Sequence, residues 1–472
     1  MEEEITAEER ARGVGVLSRS LRLLYVYALA TGAILTFVAY WDGMFLTYCG
    51  PGTGMAFLLM MLLVLPVAFV YSELASMFPR VGVELVYNTV GINKHAGFAA
   101  SWLIMGAWLA VPTAGVMGIL DWIKFAFLPD LSYTQITIFG ILVLVVYCAV
   151  SLIKNVVAGR VQTFMLFTAL IGIVITSSIF FTTEWSIENM TPYFQTGLME
   201  GSPKGWMIGM ALLITPFFGF EIVPQMVEEG TFPIKNQYKA ILGSVVTCGL
   251  LYAVAYTALA GVLPWEELTE NGTSAPFASL RAIITLYDWD SYAVFYGVVA
   301  VLFTIGTCIL GFWLSAVRML YALGRQNFLP GIFVKTNRFG QPIVPNLFIL
   351  GISILFFLVM NQYAYLQDMF NLMSFSCAGA YALTMIASIK LIRNHPEWPR
   401  PFKVRGGMAL RWFAFLSMAI IAVLCLVGQN RTAWAGLGAY YGIGALLWLW
   451  MVLQRWKKSK VWMQTPEGLK EY

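Results

Sequence analysis

The chain has 472 residues, 59% of them hydrophobic and 11% charged, with 29 Lys and Arg against 25 Asp and Glu. Soluble domains carry about 25% charged residues, so this balance excludes a water-soluble globular protein and favours a single integral membrane domain. The net charge of +4 decides nothing until its placement along the chain is known.

The first residues, MEEEITAEERARG, run acidic and then basic, with no short apolar core and no small-residue cleavage site. That is not the pattern of a secretory signal peptide, and residues 1–20 read as a cytoplasmic tail. A helix needs roughly 20 apolar residues to span the hydrocarbon core. On that criterion ten segments are expected at about 21–48, 53–77, 97–125, 133–153, 160–182, 205–229, 238–263, 288–323, 344–361 and 366–392. Two more follow at about 410–427 and 433–455, and residues 456–472 form a second cytoplasmic tail.

Twelve crossings return the chain to the side from which it starts. Of the 29 Lys and Arg residues, only Lys124, Lys204, Arg281 and Arg431 fall on one side of the alternation. The rest lie on the other, in groups such as Arg10 to Arg22, Arg325 to Arg338, Lys390 to Arg411 and Arg455 to Lys460. Short cytoplasmic loops collect positive charge, so both termini are expected in the cytoplasm and the protein in the plasma (inner) membrane. The opposite loops are acidic, with Glu184, Glu188, Glu200, Glu266, Glu267, Glu270, Asp288 and Asp290. Asn189, Asn271 and Asn430 begin N-x-Ser/Thr triplets there, a pattern that also arises by chance.

Inside the sixth segment, residues 215–224 read TPFFGFEIVP. Pro216 and Pro224 each remove a backbone donor, so a regular helix is not expected to run unbroken between them. Glu221 sits at this break, where a carboxylate costs a few kcal/mol or more if it faces lipid. Broken backbone and buried charge are tolerated together where they line an enclosed cavity, which makes this the expected substrate site. The first segment carries Gly32 near its middle. It is the counterpart of the sixth if the chain is two successive sets of five helices, about 21–182 and 205–392, with an extra pair at 410–455. A glycine used only for close helix packing is the alternative at Gly32. Half-helix ends leave carbonyl and N–H groups that can hold cations or anions.

Three carboxylates fall within apolar segments. Asp42 and Asp121 lie within about two turns of an outer end and are expected to face headgroups or a water-filled vestibule. Glu221 is the deepest. It can serve as a protonated acid hydrogen-bonded within the bundle, as counter-ion to a cationic substrate, or as a proton carrier, and these roles are compatible. Nearby aromatics, Phe217, Phe218 and Phe220 with Trp108, Phe312 and Trp313, suit an organic ammonium group by cation–π attraction. Phe218 and Trp108 lead that set.

The six cysteines are spaced singly and read as small apolar fillers. His95 and His395 fall in expected loops, so no metal site and no cofactor are expected. No phosphate-cradling glycine loop follows a strand, which argues against a nucleotide-driven pump. There is no filter-like repeat of a channel, no nucleophile–base constellation of an enzyme, and no indication of nucleic-acid binding.

These residues together resemble the amino acid–polyamine–organocation transporter superfamily along essentially the whole chain. The matching stretches are Thr31-Gly32-Ala33-Ile34, Ser72 to Gly82 (SELASMFPRVG), and Phe218-Gly219-Phe220-Glu221 followed by Glu228-Glu229 and Pro233. Arg318, Tyr321 and Ala322, leading to Phe328-Leu329-Pro330, complete the set. The resemblance implies an all-α, twelve-helix, five-plus-five inverted-repeat (LeuT-like) fold with helices 1 and 6 unwound at the midplane. It also implies secondary transport by alternating access. By position it places Gly32, Ala33, Ile34, Thr36, Phe37, Phe217, Phe218, Gly219 and Glu221 around the substrate, with Trp108, Pro112, Phe312 and Ser374 as further lining residues.

Two departures stand out. Many members that carry amino acids follow the Gly-Ala-Ile stretch with a Gly-Ser-Gly run that holds the substrate carboxylate on bare backbone; here Thr36-Phe37-Val38 stands instead. Glu221 matches the position that senses protons or meets the guanidinium in arginine–agmatine exchangers, and the motif with Pro224 is similar to that of ethanolamine permeases. The expected cargo is a small cationic or zwitterionic organic solute, best an amine without an α-carboxylate, moved by proton coupling or exchange. The alternatives are an ordinary α-amino acid permease and a transporter-like sensor that binds without translocating. A sodium site of this fold draws on adjacent hydroxyls in segment eight, whereas Thr304 and Thr307 are not adjacent, and segment five offers no lysine beyond Lys154 and Arg160 at its start. The second departure, Val83-Glu84 in an expected cytoplasmic turn, has no explanation at this level. Expected partners are therefore the solute, membrane lipids and, where transport is coupled to them, protons.

Overall fold

Helix follows helix through nearly all of the computed structural model, which describes residues 15–194, 203–270, 275–363, 366–427, 431–454, 462–465 and 468–471. Arg10, Glu200, Asn271, Asn430 and Arg455 to Lys460 lie outside the described residues. The elements in order are α1 (Leu23–Ile34), α2 (Asp42–Cys49), α3 (Thr53–Met77), α4 (Val83–Gly91), α5 (Lys94–Ala126), α6 (Tyr133–Ser151) and α7 (Asn155–Thr183). Next come α8 (Pro203–Leu212), α9 (Ile222–Gln225), α10 (Gln237–Ala260), α11 (Trp265–Leu268) and α12 (Ala278–Tyr287). The rest are α13 (Asp290–Gly297), α14 (Thr304–Arg325), α15 (Ile343–Tyr363), α16 (Leu366–Asn394), α17 (Gly407–Leu424) and α18 (Arg431–Gln454). A π-helical turn, Val298–Phe303, joins α13 to α14.

Ten helical runs among the described residues are long and apolar enough to cross a membrane. The two expected segments that fall short are Leu23–Phe37, cut by a break, and Ile343–Val359. The expectation of an all-α chain needs one amendment: Trp462–Thr465 (β1) and Gly468–Glu471 (β2) form an antiparallel hairpin where only a tail was expected. Glu84 lies on a helix, α4, rather than in a turn.

Helix starts follow local chemistry. Ser132 and Gln135 form a capping box at α6, and the Asn93 side chain accepts from Ala96 N at α5. The centre of the molecule is built from α1, α3, α5, α10, α14 and α16, which pack on one another in the tightest pairs, α3 with α10 and α5 with α16. The run Gly205–Gln225 is 83% buried in its apolar window, against 22% for α6 and for α18. The peripheral helices turn Ile138, Leu142, Phe164, Ile171, Leu446 and Leu453 outward as an apolar rim suited to lipid.

The two faces of this bundle close differently. On the N-terminal face, Ser20 and Leu21 donate backbone N–H groups to Glu229 O, and a buried ionic belt lies beside them. Arg318 Nε meets Glu229 at 2.7 Å, Arg325 meets Glu228 at 2.9 Å, and Arg411 meets Glu73 at 2.7 Å. Removing one partner of such a pair strands a buried charge, at a cost of about 3–5 kcal/mol. On the opposite face the closure is aromatic: Phe37, Trp41, Phe45 and Phe370 have ring centroids 5.6–6.1 Å apart.

Candidate substrate site

The break in segment six is real and its cause is local. After α8 the chain makes a single 3-10 turn, Thr215–Phe217, and then leaves the helix at Phe218, whose ψ is 147°. Gly219 has φ +130°, a conformation that costs little only without a side chain. The chain resumes as the four-residue α9. Between the two prolines the regular α-helical ladder gives way to i→i−3 turns, and the Gly219 N–H turns to the carboxylate. Gly219 N donates to Glu221 Oε2 at 2.8 Å.

Two further donors converge on the same carboxylate. Trp108 Nε1, from α5, lies 3.0 Å from Oε1, and Tyr381 OH, from α16, lies 2.8 Å from Oε2. Glu221 is fully buried and, among the described residues, makes no ion pair. Each hydrogen bond to a charged acceptor contributes about 1.5–3 kcal/mol, which offsets a buried charge without replacing a counter-ion. The arrangement is a preformed carboxyl socket walled by aromatic rings. Phe218 packs on Phe312 with centroids 4.5 Å apart, and Phe220 on Tyr381 at 5.2 Å.

All thirteen expected site residues are buried, so this conformation is closed to both faces. Not all of them meet. Trp108, Gly219 and Glu221 bond directly, and Phe218, Phe312, Ala33 and Ile34 surround Gly219. Ser374 bonds to Thr215, tying α16 to the break. Pro112 lies one turn beyond Trp108 inside the unbroken α5. Phe217 faces away, onto Phe57 and Tyr252.

The break in segment one falls later than expected. Gly32 sits within the intact α1, and a Cβ there would lie 2.6 Å from Thr307 Oγ1, so its role is close packing. The chain departs from the helix after Phe37. Three backbone groups at that break are taken up by tyrosines. Tyr252 OH donates to Ile34 O and lies 3.3 Å from Phe37 N, and Tyr256 OH donates to Phe37 O. Thr36 lies against Cys308.

Asp42 corrects an expectation outright. Rather than facing headgroups or water it is fully buried, accepting from Ala278 N and Ser279 N at 2.8 Å and from Ser279 Oγ at 2.7 Å. It supplies, from a remote segment, the cap that α12 lacks locally, because Phe277 precedes that helix at φ +64°. Asp121 is partly buried and accepts from Tyr40 OH at 2.7 Å. The hydroxyls of Thr304 and Thr307 donate to their own helix, at Ala300 O and Thr304 O, and Gln162 Nε2 reaches Thr307 O at 3.3 Å. All six cysteines are buried and none is in a disulfide. Among the described residues no cluster of His, Cys, Asp and Glu is arranged to hold a metal ion.

Tyr381, Tyr252, Tyr256 and Gln162 went unrecognised in the sequence. Helical spacing carried the signal in two cases: Tyr381 is seven residues after Ser374, on the same face of α16, and Tyr252 and Tyr256 are an i, i+4 pair.

A family model described as amino acid permease matches residues 21–449. The chain belongs to that family. The permease is 24% identical over 473 residues to the gamma-aminobutyric acid permease of Escherichia coli (strain K12), spanning 96% of this chain and 97% of the other. It is 24% identical over 423 residues to a branched-chain amino acid permease of Bacillus subtilis (strain 168), spanning 85% and 88%. It is also 22% identical over 448 residues to a glutamate/serine transporter of the same organism, spanning 85% and 79%. The permease is thus a multi-pass membrane transporter of the amino acid–polyamine–organocation superfamily, and not an enzyme.

Proposed function

We propose that the permease moves a small organic amine across the plasma membrane by alternating access, with Glu221 as the counter-ion of the ammonium group. One observation carries the reading: a fully buried carboxylate held by three neutral donors, with no ion pair among the described residues, at a helix break lined by aromatic rings. A cation arriving there meets a buried carboxyl whose hydrogen-bond donors are already in place to stabilise its ionised form. One amide at the segment-one break, Phe37 N, is engaged by Tyr252 OH, which leaves it poorly placed to hold a substrate carboxylate.

In this reading the fold is the twelve-crossing, five-plus-five inverted repeat with both termini cytoplasmic, and the belt of Glu228, Glu229, Arg318 and Arg325 is the inner gate. Proton coupling or exchange fits better than sodium, because Thr304 and Thr307 are not the adjacent hydroxyl pair that a sodium site of this fold draws on. The second reading, an amino acid as cargo, is favoured by the names of the relatives. Competition separates the two. Purified protein in liposomes should exchange amines such as agmatine in preference to the carboxylated parent, arginine. Preference for the parent overturns the amine reading. Binding in a thermal-shift assay without counterflow would identify a sensor instead. Glu221→Gln is expected to keep the fold and lose uptake or its pH dependence.

A further inference from the structure

Glu84, like Glu221 and Asp42, is a buried carboxylate that makes no ion pair among the described residues. It lies on α4, which connects two spans, and it is fully buried. The other acidic residues of that region, Glu73, Glu228 and Glu229, each meet an arginine at 2.7–2.9 Å. Glu84 instead accepts from two neutral donors, Tyr71 OH and Gln225 Nε2, both at 3.2 Å. Gln225 is the last residue of α9, four positions beyond Glu221, and its Oε1 accepts from Gly82 N at 2.9 Å. The two carboxylates therefore flank one short helix and are near enough for each charge to disfavour the other. Phenols lie between them. Tyr381 donates to Glu221, Tyr71 donates to Glu84, and their rings meet edge to face at 5.5 Å.

Two neighbouring carboxylates with no cation cannot both be ionised in a low-dielectric interior, so the pair keeps at least one proton. The groups around Glu84 do not change this. Tyr87 on its own helix, Tyr71 on α3, and Cys377, Tyr381 and Thr384 on α16 are neutral. On α14, Arg318 and Arg325 are engaged by Glu229 and Glu228. On α5, Lys94 and His95 stand at the outer first turn, half-buried and exposed. Burial, and then the nearby Glu221 charge, push the Glu84 carboxyl up to about 8 against the pull of its hydrogen bonds. Its proton is thus exchangeable near neutral pH.

We propose that Glu84 is a second proton-holding site paired with Glu221, and that it takes the proton which Glu221 gives up when a cationic cargo arrives. The step conserves charge within the pair: an O–H bond breaks on Glu221 and one forms on Glu84. Each phenol that relays the proton receives one and gives one. The cargo's ammonium then neutralises the Glu221 carboxylate, and the proton on Glu84 stands on the side of the inner gate. The transport half of this proposal rests on the amine reading above; the pairing of the carboxylates does not.

Infrared titration and liposome transport test the two halves. In the wild type, the carbonyl band of a protonated carboxylic acid should titrate near pH 8. Glu84→Gln should lower that midpoint by removing the charge beside Glu221, and Glu221→Gln should lower it in the same way. In liposomes with the membrane potential clamped, one proton exchanged per cargo gives about tenfold accumulation per pH unit. Glu84→Gln should reduce that ratio to onefold while keeping cargo counterflow. A midpoint that Glu84→Gln leaves unchanged, or gradient-driven accumulation that survives it, overturns the proposal. If the wild type carries no amine, the amine reading fails, and the band alone decides whether the carboxylates are paired. Should Glu84→Gln not fold, Tyr71→Phe retains the carboxylate and removes a donor to its charged form. It should raise the band midpoint, and an unchanged midpoint overturns the pairing.

Discussion

At the scale of the residue, the chemistry gathers on Glu221. Its two oxygens receive three donors from three elements, so substitutions of those donors should have graded effects. Tyr381→Phe removes one hydrogen bond to a charged acceptor. It should lower transport about tenfold, equivalent to about 1.4 kcal/mol, with the cargo's apparent affinity falling more than the maximal rate. Glu221→Gln is more severe, because the amide NH2 would oppose one of the three donors, and uptake should fall below a hundredth of wild type. Initial rates in liposomes at several cargo concentrations measure both. A Glu221→Gln protein that retains the wild-type rate and pH profile removes the carboxylate from the mechanism. The aromatic wall was legible at this scale from Phe218 and Trp108. The donors were not, because a hydroxyl such as that of Tyr381 carries no mark in the sequence of the partner it will find 160 positions away.

At the scale of the element, the features to test are the break and the cap. Gly219→Ala would force a side chain into φ +130° with Ile34 at 3.0 Å and Phe312 at 3.3 Å, costing about 1–3 kcal/mol. A lower melting temperature in detergent, together with lost cargo binding, is the expected result; unchanged binding would mean that the glycine is not required. Asp42→Ala removes the only side-chain cap found for α12 among the described residues and leaves Ala278 N and Ser279 N buried without acceptors. The expected loss is about 2 kcal/mol, read as a lower melting temperature and faster proteolysis near α12. Breaks of this kind are easy to read from sequence, since two prolines and a glycine act through the local backbone alone. The later position of the segment-one break was not readable, because no proline marks Phe37 and the tyrosines that satisfy it come from α10. The cap was hidden for the same reason: Asp42 and Ser279 are 237 residues apart, and the acceptor meets backbone N–H groups that every residue possesses.

At the scale of the whole molecule, the two faces are shut by different physics, an ionic belt on one and packed aromatics on the other. Opening the ionic face should therefore be the easier to provoke by substitution. Arg325→Ala strands Glu228, which also accepts from Val81 N at 3.1 Å, and should bias the protein towards opening on that face. The native thiols report on this. Cys377 lies beside Glu221 and is shielded in the closed form, so a water-soluble maleimide should label Arg325→Ala several-fold faster than wild type. Equal labelling rates would mean that the belt does not govern access. The all-helical class and most of the membrane-length segments followed from hydropathy, which is a sum over many residues. Which side chains meet at the centre depends on packing among helices remote in sequence, and only coordinates supply that.

The grip of Asp42 on α12 has one further consequence. An exposed ion pair such as Arg281 with Glu270 at 3.4 Å weakens as dissolved ions accumulate around it, because its field runs through water. The Asp42 carboxylate is sealed from solvent and binds neutral N–H and hydroxyl groups, so mobile ions cannot reach the field between them. The stability that this cap gives α12 should therefore be the same in dilute and in saline surroundings.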